Sequence, residues 1–174
     1  MKKNNNKCKE HKESNKSSDS NKSKDDFAIV LLDTNFLLIP AELRVDVFSE
    51  LKRIMLENYK VFVLDKSIGE LENIIRKGKG REKMHARVAM EMLKRNRIKV
   101  LKTELKTKNF LNTHKIPLAG VHKSVDDLIF EFVLRAKNKK RIYVATQDSE
   151  LKKRLSNVGC NIIFLRKKSF LKIE

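Results

Sequence analysis

Phe27-Ala-Ile-Val-Leu-Leu-Asp-Thr-Asn-Phe36 is the stretch that decides the fold. An apolar run from Phe27 to Leu32 leads straight into Asp33, Thr34 and Asn35. A short, solidly apolar run with β-branched members reads as a strand buried on both faces. It follows a polar leader, so it is expected to be the central strand of a sheet. Asp33 then emerges where that strand leaves the core. In open α/β sheets, sites form just beyond the carboxyl ends of strands.

Upstream, residues 1–26 are Lys, Asn, Ser and acids with almost no apolar side chain. Such a segment cannot bury enough surface to offset its ordering entropy. It is expected to be a disordered basic leader. Residues 27–174 are expected to form one domain.

Downstream, Leu43, Val47, Phe48, Leu51, Ile54 and Met55 share one helical face, and a single helix over 41–57 is expected to pack on the sheet. Residues 60–64 read as a second buried strand. Asp65-Lys66-Ser67 turns the chain, and a helix starts at Ser67 and breaks at Gly78-Lys79-Gly80. Residues 81–96 read as a helix with Met84, Val88, Met92 and Leu93 inward. Residues 98–101 form a third strand. Pro117 and Gly120 mark a loop over 102–123, with Leu105, Phe110 and Leu111 as its apolar members. Ser124 caps a helix carrying Leu128, Ile129, Phe132 and Val133. Residues 142–145 are the fourth strand, Thr146-Gln147-Asp148 its corner, and Leu151 and Leu155 belong to a helix that Gly159 ends. Residues 161–165 are the last strand expected. Strands alternate with helices, which argues for an α/β fold with a mostly parallel sheet covered on both faces.

The formal charge is +18, from 40 Lys and Arg against 22 Asp and Glu. That balance is an electrostatic footprint for polyanions, most often nucleic acid. With 174 residues and 40% hydrophobic content, the chain can build one real core. No apolar run is long enough to span a membrane, and the N-terminus lacks a signal-peptide core, so a cytoplasmic location is expected. Cys8 and Cys160 give no disulfide framework, and His11, His85, His114 and His122 form no ligand-spaced pair. Zinc is disfavoured, and a hard, oxygen-liking metal is the better expectation.

Four places put a carboxylate at a strand end or helix start: Asp33, Glu70, Asp126 or Asp127, and Asp148. Carboxylates sharing a cleft raise one another's pKa, and a divalent cation resolves the conflict. Mg²⁺ takes few direct carboxylates plus waters and phosphate oxygens, and such ions activate water and stabilise the leaving oxygen of a phosphodiester. Each residue also has a purely structural role to weigh. Ser67 and Glu70 match a capping box. Ser124 and Asp127 match a similar pattern, which leaves Asp126 as the better ligand. Asp148 can be a plain N-cap, and Asp33 with Asn35 an Asx-turn. Taken singly each is more often structural; together they point to a metal site. Phosphate-binding glycine loops and the nucleophile-elbow motif are absent.

Leu32-Asp-Thr-Asn35, the helix-opening Glu70, Ser124-Val-Asp-Asp127 and Val144-Ala-Thr-Gln-Asp-Ser-Glu-Leu151 together resemble the PIN-domain nucleases over about residues 27–170. The Thr146-x-Asp148 corner and the closing Ile-Ile-Phe-Leu-Arg-Lys-Lys look most like the archaeal branch similar to small-subunit rRNA-processing PIN endonucleases. The toxin branch of toxin–antitoxin pairs shares the acidic set. The resemblance implies a three-layer α/β/α fold and Mg²⁺- or Mn²⁺-dependent cleavage of RNA. It implies Asp33 and Asp126 as metal ligands, with Asp127 open as the alternative to Asp126. Glu70 and Asp148 complete the cluster, and Thr34, Asn35, Ser124 and Thr146 support it. Stretch 76–123 matches nothing specific.

The expected function is a metal-dependent endoribonuclease. The rivals are a non-catalytic RNA-binding assembly factor and a ribonuclease toxin. Candidate RNA-contacting groups are Lys77, Lys79, Arg81, Lys139, Lys140, Arg141, Lys152, Lys153, Arg166, Lys167 and Lys168. The expected partner is RNA, with a homodimer through the helix at 41–57 as a further expectation and no membrane.

Overall fold

The computed structural model describes residues 27–103 and 124–174. The leader (1–26) and the expected loop from 104 to 123, with Cys8, His11, His114, His122, Leu105, Phe110, Leu111, Pro117 and Gly120, lie outside the described residues.

In chain order the elements are β1 (Ala28–Leu32), α1 (Thr34–Leu43), α2 (Val47–Ile54), β2 (Tyr59–Leu64), α3 (Asp65–Lys77), α4 (Gly80–Arg95), β3 (Lys99–Leu101), α5 (Val125–Ala136), β4 (Ile142–Ala145), α6 (Ser149–Asn157), β5 (Asn161–Arg166) and β6 (Phe170–Ile173). The described strands form one sheet in the order β3-β2-β1-β4-β5-β6. All neighbours run parallel except β5 and β6.

β1 is central, as its composition requires. Ala28, Val30 and Leu32 face one core with α1 to α4, and Ile29 and Leu31 face the other with α5 and α6. All five are fully buried. A strand with apolar side chains on both faces has nowhere else to sit. The order of the strands reverses direction between β1 and β4, which opens a crevice at their carboxyl ends.

Four expectations change. The single helix over 41–57 is two helices. α1 begins at Thr34 and carries Pro40 inside it. Arg44 then takes a left-handed conformation (φ 56), and the Asp46 carboxylate starts α2 by accepting from the Phe48 and Ser49 N–H groups. A proline inside a helix removes a donor and argues against helix. Here the buried Phe36, Leu37 and Ile39 override it. Leu43 ends α1 half-exposed rather than packing on the sheet.

The inner face of α4 is also different. Met84 and Val88 are exposed, at 65% and 40%, while Ala86, Ala89 and Leu93 are buried. The alanines let α4 approach its neighbours closely, and size rather than hydrophobicity selects the face. The helix α3 starts at Asp65, two residues before Ser67. Finally, β6 is a strand that the sequence pattern did not predict. It returns antiparallel after a turn at Lys167-Lys168. Its free edge is closed by α2: the Leu171 N–H donates to Glu50 (2.8 Å) and Arg53 donates to the Leu171 carbonyl (2.9 Å). Covering an edge strand in this way blocks unwanted strand addition.

No helix among the described residues is long and apolar enough to cross a membrane.

Candidate active site

The crevice at the carboxyl ends of β1 and β4 is fixed by backbone first. The Asp33 N–H donates to the Ala145 carbonyl (3.0 Å), and the Thr146 N–H donates to the Ile163 carbonyl (3.0 Å). These bonds hold the ends of β1, β4 and β5 side by side, so that Asp33 and the Thr146-Gln147-Asp148 corner meet.

Asp33 is 2% exposed, a rare condition for a carboxylate. Its Oδ2 accepts from Thr146 Oγ1 at 2.8 Å. It makes no side-chain cap for α1; the backbone N–H that lowers its pKa is that of the neighbouring Thr34. The Asx-turn alternative is therefore not what this side chain does. Burial pushes its pKa up to about 6, against the Thr146 hydrogen bond, with the charges of Asp126 and Glu70 adding to the rise.

Thr146 is fully buried and serves two partners. While donating to Asp33, its hydroxyl accepts the Asp148 N–H at 3.1 Å. Asp148 caps α6, its Oδ1 accepting from the Leu151 N–H at 2.7 Å. The N-cap role is real and occupies one oxygen of the carboxylate.

Glu70 lies on the second turn of α3. Its Oε2 accepts from Thr34 Oγ1 at 2.6 Å, across 36 positions of sequence. The expected capping box with Ser67 does not form. Because α3 starts at Asp65, Ser67 sits inside the helix, fully buried, with no hydrogen-bond partner for its hydroxyl. Glu70 is thus released from its own helix end and held toward α1.

The adjacent pair on α5 divides. Asp127 exchanges hydrogen bonds with Ser124 (2.9 and 3.2 Å) and pairs with Arg154 (2.9 Å), and these bonds lower its pKa. Asp126 is half-buried and its pKa is raised, first by burial and then by the charge of Asp148. Asp126 thus acts electrostatically on Asp33 and feels Asp148 in turn, whereas Asp127 answers to Ser124 and Arg154. Asn35 is exposed on the first turn of α1 and takes no part in these bonds.

Two residues enter that the sequence did not suggest. Arg154 pairs with Asp127, stands 4.6 Å over the Phe130 ring and partly offsets the rise at Asp126. A lone arginine on a short helix carries no local signal. Asp65, expected only in a turn, accepts from the Thr103 hydroxyl (2.7 Å) and N–H (3.1 Å), tying the end of β3 to the same edge of the sheet.

The basic candidates separate by position. Lys152 and Lys153 lie in the first half of α6, and Arg166 ends β5 with Lys167 and Lys168 in the turn beyond it, both toward the edge where Asp33 lies. Lys77, Lys79 and Arg81 sit at the corner of α3 and α4, roughly 10 Å along the helix from Glu70 at ~1.5 Å per residue. Lys139, Lys140 and Arg141 precede β4, at the opposite edge of the sheet, roughly 15 Å from Asp33 at ~3.3 Å per strand residue.

The donor set suits a hard divalent cation: carboxylate oxygens only, with Asp33 and Asp126 raised first by burial and then by neighbouring carboxylates, a repulsion that a cation would relieve. Among the described residues no three side chains of Asp, Glu, His or Cys stand together as a ready metal site. Mg²⁺ does not demand one, since it keeps several waters.

The family model described as "PIN like domain" matches residues 30–168 of this chain. The solved structure of the PIN domain endonuclease Utp24 is similar with a TM-score of 0.59 and 22% identity, over 84% of this chain and 90% of that one. A domain of a functionally unknown protein from Methanocaldococcus jannaschii DSM 2661 aligns with a TM-score of 0.48 and 16% identity, over 80% and 91% of the two chains. VapBC-1 from nontypeable Haemophilus influenzae aligns at 0.47 and 17%, over 74% and 93%. No curated protein matches by sequence.

Proposed function

Because this chain belongs to the PIN-like domain family, we propose that it is a Mg²⁺- or Mn²⁺-dependent endoribonuclease. PIN domains are generally nucleases, so a hydrolase acting on nucleic acid is the family expectation. The observation that carries the reading is Asp33: a carboxylate held almost fully buried at the crevice, against its own preference for water, beside Asp126 and Glu70. Clustered carboxylates near phosphate would weaken RNA binding by a purely binding protein. They make sense where a cation joins them to the substrate.

Asp33 and Asp126 would hold the cation, with Asp148 and Glu70 completing the negative field. The cation, when bound, supplies charge neutralisation and a more acidic water. The chain's own groups do the rest. Thr146 fixes the Asp33 carboxylate. Thr34 fixes Glu70. Ser124 and Arg154 hold Asp127 so that the first turn of α5 presents Asp126. Lys152, Lys153, Arg166, Lys167 and Lys168, at the same edge, would bind the phosphate backbone. RNA as substrate rests on the +18 charge together with the family. A role in rRNA processing is the narrower proposal, drawn from the motif resemblance.

The test is incubation of the purified protein with a mixed structured RNA, with Mn²⁺ and with chelator, wild type against Asp33→Asn. Cutting that needs Mn²⁺ and disappears in the variant supports the proposal. Tight RNA binding without cutting under either condition would favour an assembly factor.

A further inference from the structure

Each described Phe or Tyr packs into or against one of the two cores, with two exceptions: Phe164 and Phe170. Both are partly exposed, and both stand on the β5–β6 hairpin. Side-chain alternation explains their position. Ile163, Leu165 and Leu171 turn to the core with α2, so Phe164, Arg166, Phe170 and Lys172 turn to the other face, beyond α6.

The register makes that face a checkerboard. Phe164 lies opposite Lys172, and Arg166 lies opposite Phe170. Each aromatic ring therefore has a cation across the strand. The Lys152 ammonium of α6 stands 5.3 Å over the Phe164 ring. At the tip, Lys167 and Lys168 both take left-handed conformations (φ 50 and 54), with the Ser169 N–H donating to the Arg166 carbonyl at 3.1 Å. The three-residue loop Lys167–Ser169 thus places lysines at the two left-handed turn positions, where Asn-Gly is usual. None of the described carboxylates pairs with Lys152, Arg166, Lys167, Lys168 or Lys172.

The face is continuous with the crevice. β5 neighbours β4, and the Gln147 side-chain amide donates to the Leu165 carbonyl at 3.3 Å, one residue before Asp148. A strand of nucleic acid leaving the carboxylates would cross the end of β5 next.

We propose that the open face of the β5–β6 hairpin is a stacking platform for single-stranded RNA, on which Phe164 and Phe170 receive bases while the alternating cations hold phosphates. Single-strand sites combine these two elements: aromatic rings for bases, which have a π-face whatever their sequence, and a basic track for the backbone. A base on Phe164 takes the ring face that Lys152 covers, and the freed ammonium turns to a phosphate. Duplex RNA keeps its bases stacked internally and offers them to no ring. The platform rests on the nuclease reading for its substrate class, but it makes a binding prediction of its own.

The experiment is fluorescence anisotropy with a labelled single-stranded oligouridylate and a labelled RNA duplex, on the full chain carrying Asp33→Asn to prevent cutting. Phe164→Leu/Phe170→Leu keeps the apolar volume, and its fold is checked by melting. It should bind the single strand roughly 5- to 150-fold more weakly per lost stack, with duplex binding little changed. Lys167→Gln/Lys168→Gln should reduce the log–log salt slope by about 1.4, at ~0.7 per phosphate on a single strand. Unchanged single-strand affinity in a folded Phe164→Leu/Phe170→Leu protein would overturn the platform. So would tighter binding of the duplex that only the lysine variant weakens. A protein that binds through these rings yet cuts no RNA as wild type would overturn the nuclease reading and keep the platform.

Discussion

Thr146 Oγ1 donates to Asp33 Oδ2 at 2.8 Å across 113 positions of sequence. The same oxygen accepts the Asp148 N–H, so one buried hydroxyl sets two of the site's carboxylate residues. Thr146→Val keeps the shape and removes the hydroxyl. It should leave Asp33 and the Asp148 N–H short of a partner, cost about 1–3 kcal/mol of stability and depress RNA cleavage. Thr146→Ser should restore most of both. Melting curves and cleavage rates on the three proteins check this.

Asp33 sets a pH dependence of stability. Its pKa in the folded protein is about 6 against an ordinary 3.8. The native state therefore favours the protonated form, and the stability this contributes is full below about pH 4 and lost as pH rises through about 6. The difference between the two values corresponds to roughly 3 kcal/mol. Asp33→Asn should thus be more stable than wild type above pH 6 and close to it below pH 4. Denaturant titrations at about pH 3.5 and about pH 7.5, on either side of that window, read the difference directly.

The two neighbouring aspartates should behave differently. Asp127→Asn weakens the bonds to Ser124 and Arg154 at a half-exposed helix start, so it should cost up to about 1 kcal/mol and slow cleavage modestly. Asp126→Asn should keep stability and abolish cleavage. Equal loss of activity in both variants, with equal stability, would sink this division.

The lysine turn carries conformational strain. Lys167→Asn with Lys168→Gly fits the same left-handed turn with residues that favour it. It should raise stability by roughly 1–2 kcal/mol while weakening RNA binding. Thermal melts and salt-dependent binding on one preparation test both halves.

Much of the architecture was legible because β1, β2 and β4 are solid apolar runs whose burial leaves few options. The acidic positions were legible because they follow those runs at fixed places. What failed was local. The helix α1 was missed because the burial of Phe36 and Ile39, which holds a helix across Pro40, is not visible in sequence. Met84 and Val88 looked like core because apolar periodicity ignores close approach, which Ala86 and Ala89 provide. The Ser67–Glu70 pattern looked like a cap because sequence does not reveal that the helix starts at Asp65. The strand β6 is only Phe170 to Ile173, too short to stand out. Arg154 was invisible because its meaning comes from Asp127, reached only through the fold.

Whether the crevice carboxylates bind a divalent cation is read by Mn²⁺ titration calorimetry on the metal-free protein at about pH 7.5, above the value of about 6 to which burial raises Asp33. Wild type should bind Mn²⁺. Asp33→Asn and Asp126→Asn should bind at least about tenfold more weakly, and Asp127→Asn should stay near wild type. Equal affinity in wild type and Asp33→Asn would show that Asp33 does not hold the cation.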